Sequence, residues 1–206
     1  MSYIQYPITY PPLIEGTPYA SLPALPTTLN QDGKSLVNPP SDSLAASYDE
    51  FPDPLDKRPG KAGFDVHIYY NEPNKRQKAF AKSLWERIRY EFPELRVYRF
   101  WERPIGPHLT AMFEINLFTP AQFGAFVPWL MLHRGPLSAL VHPNTDNELH
   151  DHTINAIWLG EKLPLDVSVL QVNLNENTQV LEGPKVTVPK SAPGGPRVAQ
   201  RASDYP

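Results

Sequence analysis

The chain has 206 residues, a length that predicts one domain with or without additional arms rather than two ordinary domains. Its net charge is −3 and its isoelectric point is about 6.1, so it lacks the positive field that binds nucleic acids or anionic membranes, and we expect neither as a partner. It contains no cysteine, which excludes disulfides, iron–sulfur clusters, thiolate nucleophiles and cysteine-ligated zinc. Any bound metal must therefore be held by histidines and carboxylates.

The amino-terminal stretch "MSYIQYPITYPPLIEG" has neither the basic region nor the continuous apolar region of a signal peptide. No stretch of the sequence approaches the roughly 18 apolar residues that a membrane span needs. We therefore expect a soluble, cytoplasmic protein.

Proline is abundant, with 25 residues, and is concentrated toward the two ends of the chain. Each proline removes a backbone hydrogen-bond donor and fixes φ, so a proline-rich stretch supports neither a helix nor a sheet. We predict an extended or disordered proline-rich arm over residues 1–60, a folded domain over residues 61–175, and a flexible tail over residues 176–206.

Regular periodicities lie between the proline-rich ends. In "GFDVHIYY" (63–70) apolar and polar residues alternate, which predicts a strand, and apolar residues recurring every four positions predict a helix over Asn74–Tyr90. "LRVYRFW" (95–101) and "TAMFEINLF" (110–118) predict the second and third strands. "TPAQ" (119–122) is a capping box that begins a second helix, kinked at Pro128 and ended by "HRGP" (133–136); "LSALVH" (137–142) predicts the fourth strand.

The order β-α-β-β-α-β predicts an α+β, ferredoxin-like fold, with one antiparallel sheet and both helices on one face. In this topology the first and third strands are neighbours, which places His67 and Glu114 on adjacent strands, on the face turned away from the helices. His108 lies at the start of the third strand and His142 at the end of the fourth. Separate stretches of sequence thus converge on one side of one sheet.

Two of the six histidines are expected to lie outside any site. His133 falls in the last turn of a helix, where it stabilises the helix end, and His150 falls in a polar surface loop. His67 alone could be a hydrogen-bonded residue of a half-buried sheet. Three imidazoles on one sheet face, however, would repel one another if protonated and would need donors if neutral, and a metal ion resolves both problems.

The stretch "HPNTDNELHDHT" (142–153) carries three of the histidines. Asp151 or Thr153 could simply cap a turn, because both side chains bond nearby backbone amides. That interpretation does not account for the adjacent His152, which is our candidate for an acid or base. Further on, Trp158 and Leu159 are expected to pack over the site or along the sheet.

Three motifs carry a resemblance to a known family. They are "FDVHIYY" (64–70), "GPH" (106–108) ahead of "MFEINL" (112–117), and "LVHPNTDNELHDHTINAIWLGEKLPLD" (140–166). Together they resemble the DOPA 4,5-dioxygenase family over roughly residues 62–168. This family includes the fungal enzyme that opens the catechol ring of DOPA, by 4,5-cleavage to seco-DOPA, on the way to betalamic acid.

The resemblance implies a homodimeric, Fe(II)-dependent dioxygenase that performs extradiol cleavage of a catechol with dioxygen. By position, the family's motif histidines correspond to His67, His108, His142 and His152. As metal ligands we predict His67, His108 and His142, with Glu114 as the carboxylate that could replace one of them. His152 is predicted to be the general acid–base residue, and Tyr69, on the same sheet face, a substrate-binding residue.

Two other functions stay open on the sequence. One is a non-catalytic, dimeric ferredoxin-like binding module whose histidines are merely hydrogen-bonded. The other is a metal-dependent hydrolase, in which the ion activates water. Metal content separates the first from an enzyme, and dioxygen uptake with a catechol separates an oxygenase from the second.

Overall fold

The structure is a computed structural model that describes residues 16–56, 58 and 61–170. Its helices and strands are, in chain order, β1 (Phe64–Tyr70), α1 (Lys75–Glu91), β2 (Arg96–Val97), β3 (Ala111–Leu117), α2 (Pro120–His133), β4 (Ser138–Pro143), α3 (Glu148–Asp151) and β5 (Ile157–Leu159). Two 3₁₀ helices, Pro18–Ser21 and Ala46–Tyr48, precede β1.

The strands form one antiparallel sheet in the order β2-β3-β1-β4-β5. The first four strands have the predicted ferredoxin-like arrangement, with β1 between β3 and β4, so the α+β fold class is confirmed. The sequence did not predict β5, which extends the sheet beyond β4 and pairs Trp158 with Leu140. Trp158 and Leu159 thus belong to the sheet itself.

The predicted second strand over residues 95–101 is regular only at its start. Tyr98 N donates to Glu114 O and Trp101 N donates to Met112 O, each at 2.9 Å. The three residue steps from Tyr98 to Trp101 therefore lie opposite the two steps from Glu114 to Met112. One extra residue is thus inserted after β2, as in a β-bulge. The insertion breaks the alternation of side chains: Phe100 packs with the helix-side core, and Trp101 packs with Met112 on the opposite face.

Capping residues determine where the two long helices begin. The side chain of Asn74 accepts from the amides of Arg76 and Gln77 at the start of α1. Thr119 accepts from Gln122 N at 3.1 Å at the start of α2, which then runs through Pro128 to its predicted end. Among the residues that the structure describes, no helix combines the length and the apolar character needed to cross a bilayer.

The sheet has one face toward the helices and one face away from them. The helix-side core contains residues of alternate parity from the strands together with the buried residues of α1 and α2: Val66, Ile68, Phe113, Ile115, Ala139, Val141, Leu84, Ile88, Phe126 and Leu130. Both helices therefore lie on one face, as predicted. The other face carries a second apolar cluster of Tyr69, Trp101, Ile105, Met112 and Leu140, packed by Trp158, Leu163 and Leu165.

The chain divides into two compact units, Met1–Ala46 and Ser47–Pro206. Within the first, Leu29 and Leu36 form an isolated antiparallel bridge around a turn in which Asp32 accepts from the amides of Lys34 and Ser35. Within the second, Phe51 packs edge-on against Phe64, with ring centroids 5.1 Å apart. The predicted domain boundary at residue 60 stays a prediction, and the predicted tail over 176–206 lies outside the described residues.

Gly63, directly before β1, is expected to be irreplaceable for steric reasons. Its φ is +88°, and a Cβ at this position would collide with the carbonyl group of Leu117. We predict that Gly63→Ala lowers the free energy of unfolding by about 2 kcal/mol or more, measured by urea denaturation. Gly124→Ala is the control, because a Cβ there meets nothing within 4 Å and the position is helical; it should be neutral or stabilising by up to about 1 kcal/mol. Equal losses in the two variants would contradict the steric argument.

Candidate metal and catalytic site

Four histidines from four parts of the chain meet on the sheet face that is turned away from the helices. His67 lies in the middle of β1, and His142 lies on β4, opposite Asp65 of β1. His108 precedes β3, and His152 directly follows α3. His67, His108 and His142 are buried, each with an exposed fraction of 4% or less, and His152 is half-buried.

A tight turn holds His108 in place. Ile105 and His108 exchange both backbone hydrogen bonds, at 3.0 and 3.1 Å, around Gly106, whose φ of +54° suits glycine. Asp166 N then donates to Pro107 O at 2.8 Å. The position of His108 thus depends on a segment nearly 60 residues further along the chain.

A buried carboxylate holds the loop that carries His152. Asp151 accepts from the amide and the hydroxyl of Thr145, at 2.8 and 2.7 Å, and burial raises its pKa. Asn147 caps α3 by accepting from His150 N. Asp151 therefore bonds a nearby backbone amide, as the sequence suggested, and this contact ties Thr145 to the end of α3, directly before His152.

The imidazole rings are close enough to share a ligand. The centroid separations are 4.1 Å for His67–His108, 5.1 Å for His67–His142, 4.0 Å for His142–His152, 5.7 Å for His108–His152 and 6.0 Å for His67–His152. His67, His142 and His152 each offer one ring nitrogen, and these three atoms lie within 4.8 Å of one another. This trio differs from the predicted ligand set by His152 in place of His108, and the predicted roles of these two residues stay predictions.

The outer nitrogens of two rings in this trio are already bonded. His142 Nδ1 lies 2.9 Å from Pro143 O, and His152 Nδ1 lies 2.9 Å from Glu148 O. A carbonyl oxygen only accepts, so both Nδ1 atoms carry the proton, and each neutral ring has a lone pair on Nε2. Backbone carbonyls orient metal-binding histidines in this way.

His67 shows that the cluster is poorly satisfied by protein atoms alone. His67 Nε2 lies 3.0 Å from His142 Nε2, so without a cation His67 must donate from Nε2 to avoid two lone pairs facing each other. Its Nδ1 is then an acceptor, and this buried atom has no hydrogen-bond partner among the described residues. A cation bound by the three rings would instead use the lone pairs that converge, so the residues fit a metal ion of the kind that imidazole prefers.

The electrostatic environment keeps the rings in the ligand form. Burial lowers the pKa of His67 well below its usual 6.5, and repulsion by the neighbouring imidazoles adds to the shift. Burial also lowers the pKa of His108 and of His152, followed in each case by the effect of another ring of the cluster. His67, His108 and His152 are therefore neutral at neutral pH.

Glu114 pairs with His67 across β1 and β3 and takes part in a polar network on the same sheet face. Asn116 Nδ2 donates to Glu114 Oε1 at 2.9 Å and to Asp65 Oδ1 at 2.5 Å, and Asn144 Nδ2 donates to the same Asp65 oxygen at 2.9 Å. The carboxylate is not part of the trio that could share an ion. Sequence reasoning missed Asp65 and Asn116, although the period-two alternation that selected His67 and Glu114 places both on the same face.

Tyr69 contacts the cluster through its hydroxyl group. Tyr69 OH lies 2.7 Å from His108 Nδ1, and its ring stacks on Trp158 at 5.6 Å. Burial raises the pKa of Tyr69 well above its usual value, with a smaller effect of Glu114, so the phenol keeps its proton. Its predicted contact with substrate stays a prediction.

The two histidines that the sequence placed elsewhere lie apart from the cluster. His133 ends α2, where its Nδ1 lies 3.3 Å from an Arg87 guanidinium nitrogen and its ring lies 4.6 Å from that of Trp129. His150 is exposed.

Comparison with known proteins finds one family model that matches this region of the chain. The model of the Dopa 4,5-dioxygenase family matches residues 64–169, which include all four clustered histidines. An uncharacterized 21.2 kDa protein of Botryotinia fuckeliana is 57% identical over 170 residues, which cover 79% of this chain and 91% of that protein.

Two further similarities are more distant. The DOPA 4,5-dioxygenase of Amanita muscaria is 34% identical over 116 residues, 53% of this chain and 50% of that protein, so the chain spans about half the length of this relative. A crystal structure from Nostoc punctiforme, described as that of a candidate dioxygenase, aligns with a TM-score of 0.46 and 34% identity, covering 53% of this chain and 91% of the other.

The buried neutral imidazoles should make the metal-free protein sensitive to acid. Below pH 6.5, the usual pKa of histidine, the unfolded chain binds protons at His67 and His108 and the folded chain does not, so stability falls as the pH falls. Each such histidine costs about 1.4 kcal/mol per pH unit until its folded pKa is reached. Urea unfolding between about pH 7.5 and 5.5 should show this slope. His67→Gln should reduce the slope by the contribution of one histidine, and His150→Gln should leave it unchanged; a flat wild-type profile would show that the rings are not held neutral.

The loop that carries His152 should loosen when Asp151 is removed. Asp151→Ala leaves the amide and hydroxyl of Thr145 without their acceptor, which should cost about 1–3 kcal/mol of stability. Amide exchange at Thr145 should accelerate accordingly. Asp146→Ala in the same loop is the control, because Asp146 is exposed, and its exchange rates should match those of the wild type. Unchanged exchange in Asp151→Ala would rule out this role of the carboxylate.

Proposed function

Because the chain belongs to the Dopa 4,5-dioxygenase family, as its motifs predicted, we propose that it is a metal-dependent dioxygenase that opens the ring of a catechol such as DOPA by extradiol cleavage. The observation that carries this proposal is the trio His67, His142 and His152, with ring nitrogens within 4.8 Å of one another. The family name alone does not specify a metal; the converging lone pairs support one.

The proposed metal is Fe(II), held by His67, His142 and His152. Imidazole binds iron among other transition metals, and three protein ligands leave coordination positions for small molecules; the choice of iron rests on the dioxygenase family. A ferrous ion bound there would supply the electron transfer that lets dioxygen, a triplet, react with a closed-shell catechol. The outer hydrogen bonds to Pro143 O and Glu148 O hold two of the rings with Nε2 available.

A buried apolar cluster shares this sheet face with the histidines. Tyr69, Trp101, Met112 and Leu140 form an apolar cluster on the face that carries the histidines, with Trp158 packed against it. These side chains are buried, and they keep water away from the sheet face that carries the histidines. Homodimerisation and a cytoplasmic location, implied by the resemblance and by the sequence, stay predictions.

Metal binding can be tested first and oxygen chemistry second. After anaerobic reconstitution with Fe(II), the wild type should bind iron, and addition of oxygen with DOPA should consume dioxygen and yield a yellow ring-opened product. His67→Ala and His142→Ala should each weaken iron binding at least roughly tenfold, as measured by metal analysis after gel filtration. His133→Ala is the matched control and should bind like the wild type.

The outcomes separate the competing functions. A wild type that retains no metal would favour the non-catalytic module. Iron binding without dioxygen uptake across DOPA and simple catechols would contradict the oxygenase, and metal-dependent hydrolysis in its place would favour the hydrolase.

A further inference from the structure

We infer that His108 is not a metal ligand but a neutral hydrogen-bond donor to an anionic substrate oxygen, and that Tyr69 is the positioning residue that gives it this role. The inference rests on the proposed function, since the anionic oxygen is that of a catechol bound at the trio.

The first step concerns which atom carries the hydrogen between Tyr69 and His108. Their contact, 2.7 Å from the hydroxyl oxygen to Nδ1, contains one hydrogen. If Tyr69 donates, one hydrogen bond satisfies both the phenol hydrogen and Nδ1. If His108 donates, the phenol hydrogen needs another acceptor, and the structure records none for it among the described residues. The arrangement in which Tyr69 donates is therefore favoured.

The second step follows from the tautomer. A neutral imidazole with an acceptor at Nδ1 carries its proton on Nε2. His108 Nε2 then has no lone pair for a metal, in contrast to the Nε2 atoms of His142 and His152. The difference lies in the partner: a carbonyl oxygen forces a proton onto Nδ1, and a hydroxyl group that donates removes it.

The third step is position. The ring of His108 lies 4.1 Å from that of His67 and 5.7 Å from that of His152, measured between centroids, yet His108 is not one of the three residues that could share an ion. A substrate oxygen bound at the trio therefore comes within reach of a donor that is not itself a ligand. Preorganised donors aimed at an anionic oxygen are an effective means of binding it in a site that excludes water.

Tyr69 is itself held in place. Its ring stacks on Trp158 with an interplanar angle of 20°, and its exposed fraction is 2%. The fixed ring keeps the hydroxyl on His108 before any substrate arrives. This arrangement is what positions the imidazole, so Tyr69 acts through His108 and need not touch the substrate.

The tautomer is measured directly by NMR on the metal-free protein. In long-range ¹H–¹⁵N spectra a protonated and an unprotonated ring nitrogen resonate far apart. His108 should show a protonated Nε2 in the wild type, and Tyr69→Phe should shift it toward a mixture of tautomers. A protonated Nδ1 on His108 in the wild type would overturn the inference, whether or not the protein is an oxygenase.

Metal content and ligand binding provide the second test, with 4-nitrocatechol as the probe under anaerobic conditions. His108→Leu should keep the wild-type iron stoichiometry and bind the probe roughly tenfold or more weakly, as expected for a lost hydrogen bond to a charged group. His108→Gln retains an amide donor and should recover part of this affinity. Tyr69→Phe should also keep its iron and bind the probe less tightly than the wild type.

The outcomes distinguish this inference from the proposed function. Loss of iron in both His108 variants would return His108 to the ligand set and overturn the inference, with the dioxygenase proposal intact. Equal probe affinity in His108→Leu and the wild type would also overturn it. Absence of iron binding by the wild type would instead defeat the proposed function, and the tautomer measurement would still decide the Tyr69–His108 arrangement.

Discussion

Burial of several imidazoles against one face of a single sheet is the constraint on which the rest of the site depends. The recorded centroid separations within the cluster run from 4.0 to 6.0 Å, at which protonated rings would repel strongly in a medium of low dielectric constant. Burial and mutual repulsion therefore keep His67, His108 and His152 neutral. Each neutral ring has one nitrogen lone pair that needs a donor or a metal ion, and among the described residues His67 Nδ1 has no hydrogen-bond partner. An ion that accepts the converging Nε2 lone pairs would remove the opposition between His67 Nε2 and His142 Nε2, which lie 3.0 Å apart.

The sheet makes such a cluster possible because only one of its two faces packs against the helices. The helix-side face buries the apolar residues that stabilise the domain, among them Val66, Ile68 and Phe113. The opposite face does not contribute to this core and can therefore hold histidines, carboxylates and amides. β1 is central, so a residue in its middle, His67, is flanked by β3 and β4 and is covered on both sides. The fold thus supplies burial for the site without using site residues as its main core.

The hydrogen bonds around the cluster divide the histidines by the partner of their Nδ1 atom. His142 and His152 face carbonyl oxygens, and His108 faces a phenol. Because the partner decides which ring nitrogen carries the proton, four residues of one type can have two chemical roles. In the proposed function the metal ligands need lone pairs and the anionic substrate needs a donor, and these two kinds of hydrogen-bond partner would provide both. The hydrogen-bond partners thus distinguish the histidines from one another, and the sequence motifs alone do not reveal these partners.

Local spacing determined much of this protein from its sequence. The alternation in "FDVHIYY" assigned His67 to the polar face, the four-residue period predicted the first helix, and the capping box at Thr119 marked the start of the second. Period and capping depend on neighbouring residues only. The topology followed from the order of elements, and with it the approach of His67, Glu114 and His142. Only the tertiary structure decided which three rings bring their nitrogens close enough to bind one ion, because His108 and His152 lie on loops. Their course is determined by bonds such as Asp166 N to Pro107 O and Thr145 to Asp151, whose partners no periodicity reveals. The inserted residue after β2 and the added strand β5 were equally hidden, since both depend on pairing with distant strands rather than on local preference.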